Sequence, residues 1–272
     1  MLTAIQEMLS FSVIQRALLV GTLVSLCAAL LGVSLVLKRY ANIGDGLSHV
    51  GFGITTIAVA FGFSPLPIAI PAVIVVAIIL LKVGNNHRIK SDSAIAIISS
   101  TSLALGVAIT SLTTGMNTDV CNFMFGSILA MSESDVILSI VVSIVVLILF
   151  VIYYRKLFAV TFDEDFAKAI GLKAGRYTNL IAILTAVVIV VGMRMMGTLL
   201  VSSIVIFPAL TSMRLFKNFR SVVISSGIIS VLCFWVGIFL SYVYSISTGA
   251  TIVLVNLVLF ILFTLLDKII KE

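Results

Sequence analysis

The chain has 272 residues, 61% of them apolar and only 10% charged, with a mean hydropathy of +1.29. Soluble domains run nearer 45–50% apolar and about 25% charged, so a water-soluble globule of this composition could not cover its own surface. A net charge of +6 in such a chain reports orientation across a bilayer rather than a polyanionic partner, which excludes nucleic-acid binding, and three cysteines without a C-x-x-C make no disulfide scaffold.

A helix needs about 20 mostly apolar residues to cross roughly 30 Å of hydrocarbon. Nine segments qualify, in chain order 12–37, 46–63, 66–83, 92–114, 135–154, 176–193, 198–213, 221–244 and 249–267. The breaks between them carry turn chemistry, as in Ser64-Pro65-Leu66-Pro67, Gly84-Asn85-Asn86 and Ser247-Thr248-Gly249. Segments 46–63 and 198–213 are short and rich in Gly, Ser and Thr, so they are expected to face other helices rather than lipid. The expected fold is all-α: a single membrane domain over 1–272 with about nine transmembrane helices. Placing the N-terminus outside and the C-terminus inside puts fifteen of the 17 basic residues in cytoplasmic loops, leaving only Arg16 and Arg194 elsewhere. The first ten residues carry Glu7 and lack a basic start, so no removable targeting segment is expected there.

An acidic side chain at membrane depth costs at least about 2.5 kcal/mol near the centre, so each one is a functional candidate. The richest stretch is Asn42-Ile43-Gly44-Asp45-Gly46-Leu47-Ser48-His49-Val50-Gly51-Phe52-Gly53. Asp45 and His49 stand four apart, so a helix projects a carboxylate and an imidazole from one face, with Ser48 beside them. Carboxylate oxygen with imidazole nitrogen suits zinc, manganese or ferrous iron. The same residues admit a plainer reading, in which Asp45 caps the second span, Ser48 bonds back to it and His49 is an interhelical donor.

Other polar residues are weaker candidates. Asp92, in Lys90-Ser91-Asp92-Ser93-Ala94, reads as a helix cap or as a metal ligand. Asp119, near Asn117, Cys121 and Asn122, reads as solvated surface or as a first contact for an incoming cation. Arg194, within Gly192-Met193-Arg194-Met195-Met196-Gly197, is expected to snorkel to the outer interface. Pro208 interrupts the hydrogen-bond ladder of 198–213 and is expected to kink it.

There is no G-x-x-x-x-G-K-[ST] loop for ATP, no H-E-x-x-H and no G-x-S-x-G, so the chain itself is not expected to be an enzyme. The segment 161–172 is different in kind. Its acidic start at Asp163-Glu164-Asp165 and basic Lys168 match a helix dipole, and Gly171 supplies a stop. A short helix outside the bilayer, with Phe162, Phe166, Ala169 and Ile170 on one apolar face, would be a handle for a partner protein.

Several segments fall in one order along nearly the whole chain: the Gly44–His49 run after Lys38-Arg39, Phe125-Gly126-Ser127-Ile128-Leu129 after Asp119, the Asp163–Gly171 loop, and Gly197-Thr198-Leu199-Leu200-Val201 leading to Phe207-Pro208-Ala209. Gly249-Ala250-Thr251-Ile252-Val253-Leu254 also fits. In these the chain resembles the permease family of bacterial ABC importers for divalent metals, closest to its zinc-type members. The resemblance implies an all-helical permease of the bacterial cytoplasmic membrane that pairs as a homodimer and binds two copies of a separate ATPase. It also implies that zinc, or else manganese, arrives from an extracytoplasmic solute-binding protein and is carried as substrate, with no permanently bound cofactor. Asp45 and His49 would line the metal path; Phe166, Ala167, Ala169 and Gly171 would belong to the helix that couples to the ATPase; Ser48, Arg194 and Pro208 would have structural or gating roles. The basic residue before Met-x-Gly, here Arg194, is similar to the zinc-type members. Ser245 departs from the family, which often has Asp in an Asp-x-Pro-x-Gly turn there.

Other readings stand beside this one. The Asp–His pair could carry a proton in an ATP-independent metal–proton exchanger. A permease for a metal chelate such as a siderophore would predict an aromatic cavity, which one Trp and six Tyr support poorly. An intramembrane enzyme lacks a catalytic set.

Overall fold

The computed structural model describes residues 11–84, 91–113, 124, 126 and 132–271. They form ten helices: α1 (Ser12–Leu37), α2 (Ala41–Ala60), α3 (Pro65–Gly84), α4 (Ser91–Thr113), α5 (Glu133–Phe162), α6 (Glu164–Ala169), α7 (Ala174–Met196), α8 (Thr198–Leu215), α9 (Phe219–Tyr244) and α10 (Thr248–Lys271). Eight of them are long and apolar enough to cross a membrane; α8 is a shorter apolar helix and α6 has only six residues. Each of the nine expected spans therefore falls on a helix, and two boundaries move furthest. α2 starts at Ala41 rather than 46, and α5 continues to Phe162 rather than ending near 154. Polarity caused both differences: Asn42, Asp45, Arg155 and Lys156 mark where apolar sequence ends, and none of them breaks a helix. Asp119, His87, Cys121 and the first ten residues lie outside the described residues, as does all of Phe125–Leu129 except Gly126.

The turns are tight because the capping chemistry closes them. At the end of α2, Gly62 takes a left-handed φ of 75° while its N–H bonds to the Val59 carbonyl and that of Phe63 to Ala58, satisfying carbonyls the helix leaves open. Pro65 then opens α3, where its fixed φ suits a first helical turn. The end of α1 uses the same pattern, Arg39 N–H to Val36 and Tyr40 N–H to Leu35, but with Arg39 in the left-handed position at φ 60°. Three residues, 38–40, thus join α1 directly to α2.

Packing divides into two apolar clusters joined by α7. One gathers α1, α5, α8 and α9 around Val24, Leu31, Phe150, Val205 and Phe234. The other gathers α2, α3 and α7 around Leu47, Val73, Ile189 and Met193, with Ile95 of α4 at its edge. α7 is the most interior span, with 78% of its apolar window buried, whereas α4 has 17%. Between α1 and α9, Ser226 donates to the Ala29 carbonyl (3.3 Å), Ser230 to Ser25 (2.9 Å) and the Trp235 indole to Thr22 Oγ1 (2.9 Å). Such bonds contribute only about 0.6 kcal/mol each between membrane helices, so they fix rotation while close packing holds the pair.

Candidate metal site on α2

Asp45 lies one turn into α2, about 6 Å along its axis, and His49 a further turn on. The helix begins at Ala41 with Tyr40 at its N-cap position, so Asp45 does not cap it. The Ser48 hydroxyl donates to the Asp45 backbone carbonyl (2.7 Å), which satisfies Ser48 internally and leaves the Asp45 carboxylate to other groups. α2 and α4 form the most extensive helix pair. A Cβ at Gly53 would meet the Ser102 carbonyl oxygen of α4, so only glycine allows this approach.

The His49 Nε2 stands 3.7 Å from Asp45 Oδ2. That is too far for a hydrogen bond. It is close to the separation of two ligands on one ion, since donors about 2.1 Å from a tetrahedral centre stand about 3.4 Å apart. The other carboxylate oxygen, Oδ1, accepts a long hydrogen bond from Ser202 Oγ of α8 (3.4 Å). The Asp45 side chain is 54% exposed in the single chain while that of His49 is 14% exposed, with Nδ1 buried and without a hydrogen-bond partner among the described residues. A half-exposed carboxylate inside an apolar span points away from lipid, toward water or another chain. Two donors are fewer than the four of a structural zinc site, which suits an ion held in passing. Among the described residues no group of three or more His, Cys, Asp or Glu side chains converges to hold an ion.

The remaining candidates separate from this pair. Asp92 is exposed in the first turn of α4, inside the helix, where its charge favours the N-terminus, and it accepts from Asn42 Nδ2 (3.2 Å). Arg194 does not snorkel freely outward. Its guanidinium donates to Asp135 Oδ2 (2.6 Å), and the two side chains are only 12% and 15% exposed. The reason is that Asp135 sits at N3 of α5, in a capping box with Ser132, and offers Arg194 a sheltered partner. Asp135 and Ser202 were both missed in the sequence; the Ser132-x-x-Asp135 spacing was a signal for the first, and Ser202 had none. α8 continues through buried Pro208 to Leu215. Ser245 is an exposed left-handed residue (φ 54°) between α9 and α10.

α6 has the expected composition in a shorter form. Asp163 breaks the helical path after α5 and caps α6, its carboxylate accepting from the N–H groups of Asp165 (3.0 Å) and Phe166 (2.8 Å). Gly171, at φ 83°, ends it with Leu172 N–H bonded to the Ala167 carbonyl. Ala167 faces inward against Val160 and Ala174, whereas Phe162, Phe166, Ala169 and Ile170 are exposed. On its charged side Lys168 pairs with Asp165 (3.2 Å) and Glu164 (3.5 Å), and the Asp165 bond followed by the Glu164 charge pushes the ammonium pKa up.

The ABC 3 transport family model matches residues 10–267. The chain belongs to that family. This permease is 30% identical over 257 residues to the manganese import system permease protein ScaB of Streptococcus gordonii, covering 94% of this chain and 92% of that one. It is 29% identical over 252 residues to the high-affinity zinc uptake system membrane protein ZnuB of Haemophilus influenzae, covering 93% and 97%. A chain of PsaBC from Streptococcus pneumoniae, solved in complex with a Fab, superposes with a TM-score of 0.86 at 29% identity over 96% of this chain and 94% of that one. An inward-facing putative metal-chelate type ABC transporter shares the fold, at a TM-score of 0.78 and 18% identity, over 95% and 88%. This family member is therefore a multi-pass protein of the bacterial cytoplasmic membrane and a metal-transport ABC permease. Its relatives' names divide between manganese and zinc, so the zinc leaning drawn from Arg194 has no support from them over manganese.

Proposed function

We propose that this permease carries a divalent transition metal, zinc or manganese, into the cytoplasm past Asp45 and His49, driven by a separate ATPase. The observation that carries the reading is the 3.7 Å gap between Asp45 Oδ2 and His49 Nε2, near the bite of one ion and with no third strong ligand among the described residues. One carboxylate offsets part of a 2+ charge and one imidazole nitrogen adds a donor, without trapping the ion, as conduction requires. Family membership and relatives named for manganese import and zinc uptake support the cargo class.

The rest of the assembly is part of the same proposal. Lys and Arg distribution supports an N-terminus outside and a C-terminus inside, which puts α6 on the cytoplasmic side. The exposed Phe166, Ala169 and Ile170 face then offers a docking surface to an ATPase subunit, two per homodimer, while a solute-binding protein delivers metal from outside. ATP binding would displace α6 and switch access between two states of the spans.

Uptake of radioactive zinc and of manganese is measured in cells carrying the native chain, Asp45→Asn or His49→Ala, at matched protein abundance. Both variants are expected to lose uptake of the carried metal. Near-normal uptake by both would refute the path, and uptake that persists after ATP depletion would favour the metal–proton exchanger instead.

A further inference from the structure

Lys38 is the residue that the site does not use and burial makes expensive. Its side chain is only 7% exposed, yet it carries a charge at the end of α1. The ammonium donates to Glu164 Oε2 on α6 (3.2 Å) and to Thr178 Oγ1 on α7 (3.0 Å). Glu164 is the first residue of α6 and is 38% exposed, its other oxygen facing Lys168. Its charge reaches Tyr40 as well: burial first, and the Glu164 carboxylate second, push the Tyr40 phenol pKa up.

The backbone immediately after Lys38 makes the contact mechanical. Arg39 is left-handed (φ 60°), Tyr40 N–H is bonded back to Leu35, and Ala41 already begins α2. A non-glycine residue is disfavoured in this conformation, so the turn is held by its surroundings. Lys38 thus opens the closed three-residue turn, and one turn of helix separates that turn from Asp45. α1, α6 and α7 meet at one ammonium, and the metal helix leaves from the same point.

We propose that Lys38 is a positioning residue: its ion pair with Glu164 transmits displacement of α6 to α2, and so to the Asp45–His49 step. This rests on the functional reading above. Among the described residues α6 packs on α5 and α7 chiefly through Ala167, and this pair ties it to the turn that leads into α2.

The test uses the permease–ATPase complex purified from its native membrane by a tag on this chain and reconstituted in liposomes. Zinc and manganese uptake and ATP hydrolysis are read on the same sample. Lys38→Met is expected to leave hydrolysis and zinc binding by the complex near native values while metal moved per ATP falls about tenfold, within the usual range for coupling between sites. Glu164→Gln, which breaks the pair from its half-exposed side, is expected to lower the same ratio. Combining Lys38→Glu with Glu164→Lys is expected to bring the ratio back toward the native value, which a merely structural role for either residue would not do. A native ratio in Glu164→Gln, or a lost ratio that the exchange of charges does not restore, overturns the strut alone. A native complex that hydrolyses ATP and moves neither metal overturns the functional reading and this inference with it.

Discussion

Arg194 Nη2 donates to Asp135 Oδ2 at 2.6 Å, fastening the last turn of α7 to the first turn of α5 in a pair that water barely reaches. Removing one partner leaves the other charge buried, and such a change costs about 3 kcal/mol. Arg194→Met is expected to lower the thermal midpoint of the detergent-purified chain and its abundance in the membrane. Arg194→Met combined with Asp135→Leu is expected to lose less than Arg194→Met alone plus the capping contribution of Asp135, about 1 kcal/mol. A single variant as stable as the native chain would show that the pair is screened by water.

The spans were legible because hydropathy and turn residues are local properties, and so was the Asp45–His49 pair, whose spacing is one helical turn. The tertiary contacts of the polar side chains are not local. Ser202 and Asp45 are 157 residues apart, Lys38 and Glu164 126, and Arg194 and Asp135 59. Each side chain alone resembles an ordinary loop or helix residue, and only the approach of α2 to α8, of the α1–α2 turn to α6, and of α5 to α7 gives it a partner. The displaced start of α2 has a different origin: apolar content marks the lipid boundary, while the helix extends back through polar residues to Ala41.

One side chain caps α6. The Asp163 carboxylate satisfies two N–H groups that a six-residue helix cannot satisfy internally. Asp163→Ala is expected to cost about 1 kcal/mol locally, which such a helix has little to spare. Hydrogen exchange at residues 164–169 should accelerate while the spans keep their protection, and metal uptake should fall with it. Unchanged exchange at those amides would mean that packing of Ala167 alone holds α6.

Two helical glycines, Gly53 buried and Gly175 exposed, should respond oppositely to alanine. A methyl at Gly53 meets the Ser102 carbonyl, a backbone atom that cannot swing aside, so Gly53→Ala is expected to push α2 from α4 and cost about 1–3 kcal/mol. At Gly175, near the start of α7, a Cβ meets nothing within 4 Å, so Gly175→Ala is expected to be neutral or to stabilise by up to about 1 kcal/mol through helix propensity. Thermal midpoints of the two purified variants decide between packing and propensity as the origin of glycine in these helices.

Ser202 offers the closest check on the geometry at Asp45. Ser202 is buried on α8 and its hydroxyl donates to Oδ1, the carboxylate oxygen other than the one nearest His49, where it can orient the carboxylate. A group that orients a ligand without being one changes affinity more than capacity, typically by about 10–100-fold when lost. Ser202→Ala should therefore raise the metal concentration needed for half-maximal uptake by about tenfold, with maximal rate and abundance little changed. If Ser202 acts through Asp45, its effect should vanish once Asp45 is gone: zinc binding to the purified complex should be no weaker in Asp45→Asn with Ser202→Ala than in Asp45→Asn alone. A further loss in the double variant would instead make the serine oxygen a contact of the ion itself, since only a direct contact survives removal of the carboxylate it was thought to steer.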